Sequence, residues 1–348
     1  MTTNGTPRMP YILCLIRWLG LGRKGEANLG ELAIVTENIL QALAAGLLIG
    51  CIYGLMCAGL GVIFGVMRVI NFAQGDFMML GMYSAYYLAT SLGLLAVLGP
   101  FFGPVAAAII TGPILFIIGI FVHRYLVTRV TGAQVAGLEG EGHFAQLILT
   151  LGVALVISNG ALIFFGSEPL SIRTPLSRTA WEVGPLFGDA VSIFINKARF
   201  VGASVSVMVA FGLYVFVTKF RFGKALRAAA DNPQSATYVG VDVDHAHRIA
   251  FGLGVAITGI AGGLVASYYP FQPYVGIEFV IVMYAGVVLG GMGSIIGAFW
   301  GGLIIGLVQQ MSTLILPTQL QNTAIFIVFL LVIFLKPQGL FGRNAERT

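Results

Sequence analysis

The 348 residues are 57% hydrophobic and only 9% charged, where an ordinary soluble domain carries roughly 25% charged residues. Too little polar material remains to cover a water-facing surface, which excludes a soluble enzyme. The formal charge is +5, but its basic residues stand between apolar stretches, where they act as topology signals and not as a nucleic-acid footprint. The three cysteines, Cys14, Cys51 and Cys57, fall in or beside apolar segments at no ligand spacing, so neither a disulfide framework nor a metal site is expected. The fold class is all-α: one polytopic integral membrane bundle of eight or nine transmembrane segments, its 47 glycines suiting helices packed closely in lipid.

In chain order, the first apolar stretch, Tyr11 to Leu21, is interrupted by Arg17 and followed by no A-x-A site. It reads as an interfacial helix in an N-terminal extension, residues 1–37, and not as a signal peptide. Candidate spans then run over 39–66, 77–98, 104–123, 144–166, 200–218, 246–268, 277–292, 294–316 and 321–336. Basic residues concentrate in 124–143, 219–248 and the C-terminal tail, residues 344–348 included. By the positive-inside rule that side is cytoplasmic. The same counting puts 167–199, and residues 1–38, outside. Gly252 with Ala256, Gly259 with Gly263, and Gly293, Gly297 and Gly301 lie four apart, a spacing that lets helix backbones approach.

Three places break the rule that backbone in lipid must satisfy its own hydrogen bonds. The first is Arg68 to Asp76, where Gly75 permits an unusual backbone angle and Asp76 can cap the next helix. Either it is an interfacial turn with its cap, or a broken element whose Asn71, Phe72, Gln74 and Gly75 line a solute path. The second is the cluster Gly290, Gly291, Gly293 and Ser294, a tight hairpin or a second pathway break. The third is Arg221 to Gly240. There Asn232 suits an N-cap, Pro233 the first helical position and Gly240 the residue just past a helix end. This predicts a short extramembrane helix at 233–239, followed by a span capped by Asp242 or Asp244. Such a helix suits docking into a partner; a solvated loop is the plainer alternative.

No phosphate-cradling loop, H-E-x-x-H or G-x-S-x-G run occurs, so no catalytic residues are assigned. No evident proton relay lies inside the spans. Energy for transport would come from another subunit.

At this point a family resemblance enters. Tyr53 to Tyr87, with Gly65, Asn71-Phe72-Ala73-Gln74-Gly75-Asp76 and Gly81, resembles the LivH-type permeases of branched-chain amino acid ABC importers, with Gln74 where the family usually has histidine. Arg227-Ala228-Ala229-Ala230-Asp231 and Val239-Gly240-Val241 resemble that family's cytoplasmic loop. Ala285 to Gly306 and the tail Pro337-Gln338-Gly339-Leu340-Phe341-Gly342 resemble its later segments, and the likeness covers about residues 38–343. The resemblance implies an inner-membrane permease that binds no cofactor or metal itself. It implies work with a second homologous permease, two cytoplasmic ATPase subunits that hydrolyse ATP, and a periplasmic solute-binding protein. Arg227, Ala228, Ala229, Asp231, Asn232, Pro233 and Gly240 would form the element gripping an ATPase. Relatives of this type also import urea, short amides and aromatic acids, so the solute stays open. A self-sufficient channel, an ion-coupled carrier and a membrane scaffold are the readings from other classes.

Overall fold

The computed structural model describes residues 25–68, 70–131, 141–186, 191–336 and 338–342. The interfacial helix expected at Tyr11 to Leu21, and the tail 344–348, lie outside them.

The described residues begin with α1 (Gly25–Met67), which passes residue 37 without interruption. It is followed by α2 (Gln74–Thr90), α3 (Leu94–Val122), α4 (Glu141–Phe165), α5 (Lys197–Lys219), α6 (Arg221–Asp231), α7 (Pro233–Tyr238), α8 (Val243–Val265), α9 (Val275–Gly290), α10 (Ile295–Ser312) and α11 (Gln321–Leu335). Six stretches are long and apolar enough to cross a membrane: Ile34–Met67, Leu94–Val130, Ala145–Phe165, Lys197–Lys219, Val243–Val265 and Ile295–Ser312. The other three expected spans correspond to α2, α9 and α11. At 1.5 Å per residue the last two are about 24 and 22 Å long, short of the ~30 Å hydrocarbon core. The chain is therefore a polytopic helical membrane protein, with six long spans among the described residues.

The core forms around α1 because its glycines let other helices touch its backbone. A Cβ at Gly50 would lie 2.6 Å from the Leu303 carbonyl oxygen, and one at Gly54 2.7 Å from that of Phe299. Gly302 and Gly306 answer from α10 against Gly54 and Gly50. Residue numbers rise on one helix as they fall on the other, so α1 and α10 are antiparallel, in contact along a seam of small residues. The stripes noticed in the sequence pack inside the chain as well. Gly252, Gly259 and Gly263 meet Phe116, Leu115 and Ala108 of α3, while Gly297 and Gly301 meet the carbonyls of Gly290 and Gly286. Gly293 does not share that face, because it lies in the turn before α10 with φ +97°.

Two boundaries differ from expectation. The break after α2 comes at Ser91–Gly93, where Gly93 takes φ +70° and ends the helix, while Gly99 (φ +75°) only kinks α3. The segment 167–199 is not plain loop. It holds a short helical turn, Pro175–Arg178, and an antiparallel hairpin of β1 (Ala180–Leu186) and β2 (Val191–Asn196), with Ala180 opposite Asn196 and Val183 opposite Ile193. Apart from this hairpin the described elements are helical, as an all-α membrane bundle requires. Alternating Val191, Ile193 and Ile195 favour strand, and Gln41 of α1 pins the edge through both backbone groups of Phe194, at 2.7 and 2.8 Å.

Candidate functional site

The first break is a re-entrant segment. After Met67 the backbone turns through Arg68, which takes φ +54°, and climbs back among the helices. The Phe72 N–H donates to Thr150 Oγ1 of α4 (3.3 Å), and the Gln74 amide donates to the Gly254 carbonyl (3.1 Å) and to Thr258 Oγ1 (2.6 Å). From Val243 to Gly254 α8 has risen about 16 Å, so α2 starts well inside the bundle. Asn71 makes this possible. Its Oδ1 accepts from the Ala73 N–H (3.2 Å) and its Nδ2 donates to Gln74 Oε1 (2.9 Å), satisfying backbone that would otherwise be stranded.

The expected residues take these places. Asn71 and Gln74 are fully buried, and Gln74 reaches α8; Phe72 is partly buried, its ring 5.3 Å from that of Tyr284. Gly75 has an ordinary helical backbone. What it supplies is close approach, since a Cβ there would collide with the Gly276 carbonyl. Asp76 is no cap: the helix has already begun at Gln74, its N-cap position is Ala73, and Asp76 Oδ1 is buried beside Gly276 with no hydrogen bond.

The second break is a hairpin turn sealed by the tail. The Leu340 N–H donates to the Leu289 carbonyl (2.8 Å) and the Phe341 N–H to that of Gly290 (3.1 Å). Gly291 takes φ +102°, and a Cβ on it would lie 2.6 Å from the Gly342 nitrogen. Tail backbone thus fills the space beside Gly291. Ser294 caps α10, accepting from the Gly297 N–H at 3.0 Å.

The third break forms as its residues dictate. In α6, Gly223, Leu226 and Ala229 face inward. Asn232 caps α7 by accepting from the Ser235 N–H (2.9 Å), Pro233 opens it, and Gly240, at φ +87°, closes it. The Gly240 N–H donates to Thr237 (3.0 Å) and the Val241 N–H to Ala236 (2.9 Å), the paired bonds of a Schellman motif. Asp242 then caps α8 through the His245 N–H. Two roles shift. Arg227 donates to the Thr218 carbonyl (3.0 Å) of its own chain, and Ala229 is fully buried in this chain and offers a partner no surface. Ala228, Asp231, Asn232 and Pro233 are exposed. The residues that project furthest are Tyr238 and Val239, 88% and 84% exposed. Their signal was present in the sequence, as two large side chains just before the stop glycine of a polar helix.

At the opposite end lies a polar cluster whose members are too far apart in sequence to form a motif. Tyr53 donates to Gln309 Oε1 (3.0 Å), whose amide reaches Asn322 (3.2 Å). The Phe279 ring sits between those of Tyr53 (6.2 Å) and Tyr269 (5.7 Å). Tyr269 donates to Glu278 Oε2 (3.2 Å), and Arg199 stacks over Tyr268 at 5.5 Å. Burial first, and the Glu278 carboxylate second, push the Tyr269 hydroxyl above its usual pKa. A cation and an anion with no salt bridge to each other thus flank a group of tyrosines.

Residues 42–335 match the family model described as branched-chain amino acid transport system / permease component. The chain is similar to the high-affinity branched-chain amino acid transport system permease protein LivH of Escherichia coli K12, 28% identical over 87% of this chain and 96% of the relative. It is similar to BraD of Pseudomonas aeruginosa, 28% identical over 88% and 96%, and to a probable LivH of Methanocaldococcus jannaschii, 29% identical over 83% and 82%. No solved structure matches it. A likeness spanning nearly every helix, in a chain built as a polytopic bundle, makes this protein a member of the branched-chain amino acid ABC transport permease family.

Proposed function

We propose that the chain forms the translocation pathway of an ATP-driven importer for branched-chain amino acids in the inner (plasma) membrane. Its partners are a second homologous permease, two cytoplasmic ATPase subunits and a periplasmic binding protein. One observation carries this beyond family membership: α7 is capped at both ends and presents Tyr238 and Val239 bare, a shape suited to a groove in an ATPase. The end bearing α6 and α7 is then cytoplasmic, consistent with Lys219, Arg221, Lys224 and Arg227 exposed there. The polar cluster at the far end is where solute enters, with Arg199 suited to an α-carboxylate and Glu278 to an α-ammonium. Asn71, Phe72, Gln74 and Gly75 brace the route at mid-depth, and Gly290, Gly291, Gly293 and Ser294 form its inner end. The short helices α2, α9 and α11 complete nine crossings, helped by the irregular segments beside them.

The test is uptake into vesicles reconstituted with both permeases, the ATPases and the binding protein. Labelled leucine is expected to accumulate only with ATP and all components. Arg199→Gln or Glu278→Gln should lower uptake about tenfold, a loss of ~1.4 kcal/mol, at unchanged membrane abundance. Accumulation without the ATPases would overturn the ATP-driven reading. Uptake of urea or a short amide in place of leucine would overturn the substrate alone.

A further inference from the structure

Where α3 crosses α8 the helices run antiparallel in backbone contact, and a Cβ at Gly119 would lie 3.0 Å from the Cα of Gly252. One turn along α3 stands His123, and one turn back along α8 stands Arg248, so the crossing sets these side chains against each other. The His123 ring lies 5.6 Å from that of Phe251, and His247, one turn before Phe251, shares its face. His247 and Arg248 both act electrostatically on His123.

His123 opens a π-helical turn, His123–Val127, that interrupts the helix at this point. Such turns recur at functional sites. Its residue is 3% exposed. Thr128 Oγ1 lies 3.3 Å from Nδ1 and leaves Nε2 to face the crossing. Nε2 of His123, Nε2 of His247 and Nε of Arg248 are all buried without a hydrogen-bond partner. Arg124 and Arg129 are exposed beside them, and Asp244 is the carboxylate that acts on His247.

Buried nitrogens left unpaired are costly, and native proteins rarely keep several together without a ligand. The shared need is an acceptor-rich anion, which would also favour the imidazolium forms in which both ring nitrogens donate. The site lies at the end of the bundle that carries α6 and α7, where two helices enter the membrane and phosphate groups of lipids are within reach. We propose that the His123–His247–Arg248 cluster binds a phosphate group, supplied by an anionic phospholipid headgroup or by a soluble phosphate.

The test uses the full chain purified in detergent and titrated separately with phosphatidylglycerol, phosphatidylcholine and inorganic phosphate. Thermal unfolding and bound adducts in native mass spectrometry are the readouts. Phosphatidylglycerol is expected to bind at least tenfold more tightly than phosphatidylcholine, and the His247→Gln/Arg248→Gln pair to erase that preference. Arg178→Gln, at the opposite end, should leave it intact. A phosphate response lost in the same pair, without lipid preference, would assign the site to a soluble source. An anionic-lipid preference unchanged in the pair, or no response to any of the three probes, would overturn the proposal. His123→Gln can disturb the π turn, so it is read through the ratio of the two lipid affinities, and an unchanged ratio counts against the site.

Discussion

Gly291 shows how much a single Cβ can decide. Its φ of +102° disfavours any other residue, and the tail backbone occupies the space a side chain would take. Gly291→Leu is expected to unseat the tail and cost about 2–4 kcal/mol, from left-handed strain and two lost backbone hydrogen bonds. Thermal unfolding of the purified chain would register it, and membrane abundance should fall together with uptake. Ala229→Glu belongs to the same class. The alanine is fully buried, so an unpaired carboxylate there costs several kcal/mol and should abolish accumulation of the protein in the membrane. The sequence pattern marked both positions as important, leaving Gly291 between a tight hairpin and a pathway break and giving Ala229 to a partner surface. Whether a glycine is small because something is near it, or because something must pass it, depends on neighbours such as Gly342 that no local pattern specifies.

Among the elements, α7 is the one most fully written in its own residues. Asn232, Pro233 and Gly240 act through bonds reaching three to five positions along the chain, so the sequence alone locates the helix to within a residue. Asn232→Ala is expected to destabilise it by ~1 kcal/mol, and Tyr238→Ala to remove its most exposed ring. Both should reduce co-purification of the ATPases while leaving membrane abundance unchanged; retained co-purification in the double variant would count against α7 as the coupling element. The re-entrant segment was legible only as an interruption. Its depth rests on Thr150, Gly254 and Thr258, which lie on two later helices. Those contacts also explain why Asp76, an apparent cap, lies inside a helix. The β1–β2 hairpin was missed because a strand signal of six residues is weak beside twenty-residue apolar runs.

Across the whole molecule, the long apolar helices followed from composition, whereas the short ones did not resolve as spans, because α9 and α11 depend on neighbours to complete their path. Sidedness has a direct check. A cysteine at Ser235 should resist a membrane-impermeant thiol reagent in intact cells, and one at Arg178 should react; the reverse pattern would invert the molecule. The tail carries a consequence for biogenesis. Leu340 and Phe341 leave the ribosome after every described helix, yet they supply the hydrogen bonds that close the turn between α9 and α10. That turn therefore cannot lock during insertion. A polypeptide released early would sit in the bilayer with all its helices and an unlatched hairpin, recognisable to quality-control proteases as unfinished.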